Sequence, residues 1–399
     1  MTVVRRIRRG RGGDGSRDEG AEARARRVEE LRGAVRLIGE GVEAAATVVQ
    51  DMHRAIQAAP LELLAAKAGG EELRRGIEGV RDGVYAAVRG VSRLLFRAAD
   101  AVIERGALAP ERALSGPLLG AVQGVVGDHL ARAGNPLHIA MQLRHGGRPL
   151  ALTREGLAGL GPRVAVFVHG LACDESCWAR GAGSARGRVD FAALLAERHG
   201  YAPVFVRYNS GQRIAENGRD LAALLTALFE AHPGGVTRLA LIGHSMGGLV
   251  ATSAAHHGHA AGAAWVEALR DVVCLGSPQL GAPLEQLGAA AVAVLSVLGV
   301  TAPIARVIDA RSAGIKDLRA GAVVDDGAVQ RPPRTRYHSV AGAIGGPRHP
   351  LGWALGDGMV RVRSAHAGEP GRPRIPGLHH MDLLDHPAVF AEIEAALAD

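Results

Sequence analysis

Apolar residues recur along this chain in two rhythms, and the change between them divides it. Val28, Leu31, Val35, Ile38, Val42, Ala45, Val49, Met52 and Ile56 alternate spacings of three and four. That is the heptad seam of a long helix, and the pattern predicts that Pro60 ends it. A second helix is expected from about Glu71 to Glu104, with Leu73, Ile77, Val80, Val84, Val88, Val91 and Leu95 on one face. Gly106 and Pro110 punctuate, a third helix is expected over about 111–132, and Gly134-Asn135-Pro136 closes the segment. Ahead of all three, residues 1–19 are charged and glycine-rich, the pattern of a disordered basic tail.

From about residue 145 the rhythm shortens into alternating strands and helices. Such alternation predicts an α/β class fold with a mostly parallel sheet. Strands are expected at Pro149–Thr153, Arg163–Val168, Val204–Tyr208, Leu239–Ile242, Val272–Leu275 and Tyr337–Ala343. Helices are expected at Asp190–Arg198, about Ala215–Ala231, Gly248–Ala255 and about Pro387–Leu397. Residues 20–135 thus read as a helical module ahead of a domain spanning 145–399, and no internal repeat is present. The seam of the module must pack on something, because an apolar face supplies most of a helix's stability. A homodimer through these helices, a membrane-surface platform and a lid are each open. A helical hairpin packed on the next domain is the simplest arrangement, since nothing in the module points to chemistry.

Composition narrows the picture. Hydrophobic residues make up 47 %, enough for a sizeable core, but aromatics are only 3 %, so aliphatic side chains must do the packing. The net charge is +7, and its cations are nearly all arginine, with Lys67 and Lys316 the only lysines. Those arginines are scattered without aromatic interleaving, so no nucleic-acid partner is expected. One dense cluster, Arg5, Arg6, Arg8, Arg9 and Arg11, leaves peripheral contact with an acidic membrane open. No apolar run follows the first residues. Cys173, Cys177 and Cys274 make an odd count, and reduced thiols in a cytoplasm are the expectation. Residues 287–305 carry no charge and reach membrane-span length. Their Ala and Gly content, Pro303 and their place inside the second region predict a cap or core helix instead.

The candidate chemistry centres on Gly243-His244-Ser245-Met246-Gly247. A buried strand precedes it and a helix of small residues follows. Strand, tight turn and helix around G-x-S-x-G make a nucleophile elbow, in which the turn lifts the serine hydroxyl clear of the sheet. Glycine is needed at Gly243 and Gly247 because side chains there would clash across the turn. A serine hydroxyl needs a histidine to take its proton and a carboxylate to orient that histidine. Such elbows are followed by the acid and then the histidine. Downstream, Asp357 sits in the turn Gly356-Asp357-Gly358, and His379-His380-Met381-Asp382 precedes the last helix. His366 and His386 lie nearby. The alternative role for Asp357 is a simple turn cap, which Asp between glycines often is. Ser277 is expected to help its strand end turn. His256, His257 and His259 are a metal cluster by count only and are expected to face solvent.

Six blocks then line up in order with a known family. They are V-F-V-H-G-L at 166–171, R-Y-N-S-G-Q-R-I-A-E-N-G-R at 207–219, I-G-H-S-M-G-G-L-V at 242–250, L-G-S-P-Q-L-G-A-P at 275–283, G-D-G-M-V at 356–360 and H-M-D-L-L at 380–384. On these blocks residues 145–399 resemble α/β-hydrolases of the bacterial lipase and esterase type, and more distantly GPI inositol-deacylase-like hydrolases. The resemblance implies Ser245 as nucleophile, Asp357 as triad acid and His380, rather than His379, as base. It implies the turn His169-Gly170-Leu171 as the oxyanion segment, with the Leu171 and Met246 N–H groups as donors. His244 is expected to support packing. In some lipases the Asp two residues after the catalytic histidine binds calcium; Asp382 stands there, but His386 stands where a glutamine ligand belongs, which counts against a metal site. A cap or lid insertion is expected around 284–320, where additions at the carboxyl edge of the sheet cover the site, with the uncharged run Ala289–Val300 against the acyl part of the substrate. The expected function is a cofactor-free, cytoplasmic serine hydrolase of small-molecule or lipid esters. A thioesterase or acyltransferase would use the same residues. An inactive scaffold or membrane-associated interaction protein is the reading from a different class, and the intact Ser, Asp and His set argues against it.

Overall fold

The computed structural model describes residues 15–66, 70–104, 116–180, 187–232, 235–282, 312–344, 356–368 and 374–398. The chain divides into two compact units. One comprises residues 1–115 with 135–137, and the other residues 116–134 with 138–399.

The first unit is a helical hairpin of α1 (Gly15–Ala65) and α2 (Gly70–Glu104). The two run antiparallel, as their polar pairs show. Asp100 accepts from Arg32 and Arg36 at 2.8 Å each, and Gln50 donates to Asp82 at 2.9 Å. Gln50 is buried, and a side chain at Gly39 would meet the Phe96 ring at 2.9 Å. Among the described residues, Gly39 and Gln50 therefore mark places where the two helices approach closely. Ile38 of the predicted seam is exposed, as are Leu73 and Leu95 of the predicted α2 face. Two boundaries also differ from the sequence pattern. Residues 15–19 of the expected tail already belong to α1, because Arg17, Glu19 and the Ala21-Glu22-Ala23-Arg24 run that follows are strong helix formers. α1 also continues through Pro60 to Ala65. A proline forfeits one hydrogen bond, and Leu61–Ala65 are residues that favour the helix enough to carry it on. Residues 1–14 of the tail lie outside the described residues.

The second unit begins with α3 (Gly116–Arg132), which the sequence pattern had grouped with the other helices. Val122, Val125, Val126 and Leu130 of this helix are all buried. A hairpin of β1 (Gln142–His145) and β2 (Arg148–Pro149) follows, pivoting on Gly146-Gly147, both at positive φ. It lies ahead of the strand expected over Pro149–Thr153, of which only Pro149 is in a strand. β3 (Arg163–Val168), α4 (Phe191–His199), β4 (Tyr201–Arg207), α5 (Ile214–Ala231), β5 (Arg238–His244), α6 (Met246–Ala260) and β6 (Leu269–Leu275) then alternate. α7 (Ala313–Ala320), β7 (Arg336–Ala343), the short α8 (Val362–Ala365), β8 (Arg374–Pro376) and α9 (Pro387–Leu397) complete the unit. The eight-stranded sheet has the order β2-β1-β4-β3-β5-β6-β7-β8. β1 pairs antiparallel with β2 and β4, and every other pairing is parallel.

Two cores follow from the period of two in the central strands. Val164, Val166 and Val168 of β3 and Leu239 and Leu241 of β5 face α5 and α6. Ala165, Phe167, Ala240 and Ile242 face α4 and α9. Both faces being covered explains the continuous apolar runs. At the amino edge, Asp271 of β6 is fully buried and accepts from Arg336 at 2.8 Å and His338 at 3.1 Å. Of the expected insertion at 284–320, residues 284–311 lie outside the described residues, and with them Ala289–Val300; the remainder forms α7. Among the described residues no helix is long and apolar enough to cross a membrane.

The place of α3 makes a prediction about truncation. A chain starting at Gly116 should keep the fold of the α/β unit, whereas one starting at Pro136 should lose four buried aliphatic side chains, each worth about 1.5–3 kcal/mol. Thermal melting followed by circular dichroism should show the longer product melting well above the shorter. Equal melting temperatures would mean that α3 contributes nothing to the unit.

Candidate active site

β5 delivers the chain into the elbow at the carboxyl edge of the sheet. Ser245 has φ 54° and ψ −124°, a conformation rare for any residue with a side chain. Its N–H donates to Leu275 O at 2.8 Å, which ties the turn to the end of β6. A Cβ at Gly243 would run into the backbone of Gly247 and Gly248, and one at Gly247 into Val168 O at the end of β3. The two glycines therefore let three backbone segments cross within contact distance.

The acid and the histidine arrive from the far side of the sheet. Asp357, after β7, is buried, and its Oδ1 accepts the N–H groups of Met359 at 3.0 Å and Val360 at 2.8 Å. Its Oδ2 lies 2.8 Å from His380 Nδ1. The His380 N–H also donates to Asp357 O at 3.0 Å. With Nδ1 turned to the carboxylate, proton exchange falls to Nε2. His379 is exposed; its backbone N–H donates to Asp382 Oδ2 and its backbone O accepts the Asp382 N–H, each at 2.9 Å. Ser245 and His380 line one cleft. Among the described residues no hydrogen bond joins their side chains.

The loop carrying His380 has its own anchor. Arg188 reaches Asp382 at 2.8 Å and also pairs with the buried Asp385. A guanidinium thus occupies the carboxylate that the resemblance associates with calcium. His386 caps α9 by accepting the Ala388 N–H at 3.2 Å. His256, His257 and His259 lie in the last turns of α6 rather than after it, since that helix runs on to Ala260, and His256 Nδ1 accepts the Gln330 N–H at 2.9 Å. Ser277 is buried against the start of α6.

Two further histidines frame the cleft. His244 Nε2 bonds to His380 O at 3.1 Å, and burial, with His380 beside it, holds its pKa well below the usual histidine range. His169 stacks on Tyr208 with ring centroids 4.3 Å apart, and burial lowers its pKa to about 4. Tyr208 donates its hydroxyl to His169 O at 2.7 Å. Gly170 lets the loop pass Ser245, where an added Cβ would sit 3.2 Å from the serine Cβ. Leu171 lines the cleft, and Met246 opens α6 with its N–H at the positive end of the helix dipole. Among the described residues the structure records no acceptor for either N–H.

Sequence reasoning missed the support around this loop. Ala172 has φ 58°, and its N–H donates to the buried Ser210 Oγ at 3.0 Å. Asn209 Nδ2 donates to Gly127 O of α3 at 2.8 Å, while its Oδ1 accepts the Gly211 N–H at 3.0 Å. The missed signal was the spacing of Gly116, Gly120, Gly124 and Gly127, which puts four glycines on one helix face.

The sheet order, the elbow and the acid and histidine loops at its carboxyl edge define an α/β-hydrolase fold. The family described as the PGAP1-like alpha/beta domain matches residues 207–292. No curated protein matches the chain. Among solved structures, the chain is similar to the mature lipase BlEst2 of Bacillus licheniformis, with 22 % identity over 65 % of this chain and 98 % of that one and a TM-score of 0.41. It is also similar to the RedJ thioesterase from the prodiginine pathway of Streptomyces coelicolor, with 21 % identity over 59 % and 91 % and a TM-score of 0.36. The Pyrococcus furiosus esterase PF2001 shows 13 % identity over 60 % and 83 %, with a TM-score of 0.37.

The buried His169 makes a prediction about acid. Its pKa falls from 6.5 to about 4 on folding, so the unfolded chain binds the extra proton between those values. Its contribution is complete above pH 6.5 and is lost as pH falls towards 4, by about 3 kcal/mol at 1.36 kcal/mol per unit. Urea midpoints across pH 7 to 4 should fall more steeply for the parent than for His169→Gln. Parallel curves would show that the ring is not held neutral.

Proposed function

We propose that the α/β unit is a serine hydrolase of carboxylic esters that works through an acyl-enzyme on Ser245. The observation that carries the reading is the buried Asp357–His380 pair, 2.8 Å apart, on the cleft that Ser245 also lines. His380 Nε2 takes the Ser245 proton as Oγ attacks the acyl carbon. Asp357 holds the ring with Nδ1 protonated and faces the positive charge that develops. The Leu171 and Met246 N–H groups meet the oxyanion, where one such donor is worth about 10²–10³ in rate. His380 then gives the proton to the departing alcohol, and water repeats the sequence to free the acid. A thioester can follow the same steps, because only the leaving group changes.

Two features of the cleft support an apolar acyl group over a charged one. Its walls carry Val125, Ile315, Leu318, Met359 and Val360, and among the described residues lining it none is a carboxylate, lysine or arginine. An inactive scaffold would have no need of a serine held at positive φ beside an ordered acid and histidine, since such strain costs about 1–3 kcal/mol.

The test is residue by residue. Ser245→Ala should abolish both ester hydrolysis and labelling by a fluorophosphonate. Asp357→Asn and His380→Ala should each cut kcat by about 10⁴ or more, while His379→Ala stays within a few fold. Labelling that survives in Ser245→Ala would move the nucleophile elsewhere, and a larger loss in His379→Ala would move the base.

A further inference from the structure

We propose that α3 is the wall against which the acyl group lies, and that Val125 sets how much acyl chain fits. The inference rests on the proposed function and adds the direction in which substrate occupies the cleft. Strand order supplies the first step. Ser245 stands at the end of β5, with β3 and β4 on one side and β6, β7 and β8 on the other. His380 and Asp357 come from the loops after β8 and β7. A leaving group must receive its proton from the histidine, so it departs on that side. The acyl group is then directed to the opposite side, over the ends of β3 and β4.

α3 occupies that side. Its glycine face rests on the loops following β3 and β4. A Cβ at Gly120 would stand 2.5 Å from Cys173 O, and one at Gly124 would stand 2.7 Å from Ala172 Cα. Asn209 Nδ2 holds Gly127 O at 2.8 Å. α7 grips the helix from the other flank, where Ser312 Oγ donates to Gly124 O at 2.8 Å and the Ala313 N–H donates to Asp128 at 3.2 Å. Both helices reach the cleft, α3 with Gly124 and Val125 and α7 with Ile315 and Leu318. Val125 is the α3 side chain in that lining, since Gly124 has none. It is 3 % exposed, so it stands in a packed wall whose backbone is fixed at both ends of the contact. A change in its size is therefore passed to whatever occupies the cleft.

The test uses the full chain and two alkyl fluorophosphonates, one with a methyl and one with an octyl group on phosphorus. Their labelling rates read access to Ser245 without depending on which acceptor later frees the enzyme. Val125→Phe should label with the methyl probe within about threefold of the parent, and with the octyl probe at least tenfold more slowly. Val125→Ala, which only removes volume, should keep the methyl rate and hold or raise the octyl rate. One methylene in an apolar pocket typically discriminates by about 10–200-fold. Equal slowing with both probes in Val125→Phe, or an octyl rate insensitive to both substitutions, would overturn the assignment. A parent protein that labels with neither probe would overturn the proposed function itself, and this inference with it. Melting temperatures of both variants accompany the rates, and a selective octyl defect at an unchanged melting temperature is the signature that a purely packing role would not give.

Discussion

Everything at the site depends on how closely three pieces of backbone can approach one another. The end of β3, the turn at Ser245 and the first turn of α6 meet where only glycine leaves room. Any side chain at Gly243 or Gly247 would push the turn off β3, and Ser245 could not keep its positive φ. The parallel register of β3, β5 and β6 brings the three strand ends level, so the crossing falls at the carboxyl edge, where an open α/β sheet offers its crevice. Backbone crowding, rather than any side-chain bond, places the hydroxyl.

How much of this was legible in the sequence varied with the kind of physics involved. Central strands declared themselves, because a strand covered on both faces must be apolar throughout, and Arg163–Val168 was read to the residue. The elbow and the acid and histidine blocks were legible because close backbone approach demands glycine and because Asp357 and His380 lie in short, recognisable turns. The roles given to Ser245, Asp357 and His380 came from the resemblance, and the structure adds that the last two are joined. The edges of the sheet were not legible. β8 has three residues, β1 four and β2 two, too short for a period of two to stand out, and β1 and β2 carry largely polar outer positions. The end of α6 was hidden because His256, Gly258 and His259 read locally as a turn, whereas Gly258 is there to admit the Trp265 ring.

α3 shows a different limit. A glycine row in an isolated helix reads as weakness, since each glycine costs roughly 1 kcal/mol against alanine. In place, the same row is a flat surface that takes the Ala172 loop at backbone distance. The information lay in the partner surface, nearly fifty residues further along, and no local pattern could supply it. The hairpin α1–α2 carries the same lesson in reverse. Its heptad seam predicts an apolar interface, and the side chains of Ala45, Val49, Met52 and Ile56 on that seam lie outside the described residues; what the described residues add is arginine–aspartate and glutamine pairs, which the apolar pattern did not announce.

The guanidinium of Arg188 against Asp382 and Asp385 has a consequence for the loop that carries His380. A divalent ion at such carboxylates would obey mass action, and the order of the loop would rise and fall with its free concentration. An arginine is tethered to the same chain and stays charged at every accessible pH. Its local concentration is fixed by the fold, so the anchor is always loaded and no chelator can empty it. What can weaken it is ionic screening of the part that solvent reaches, and Asp385, at 3 % side-chain exposure, is largely shielded even from that. The loop has exchanged a dependence on the composition of its surroundings for a dependence on its own covalent continuity.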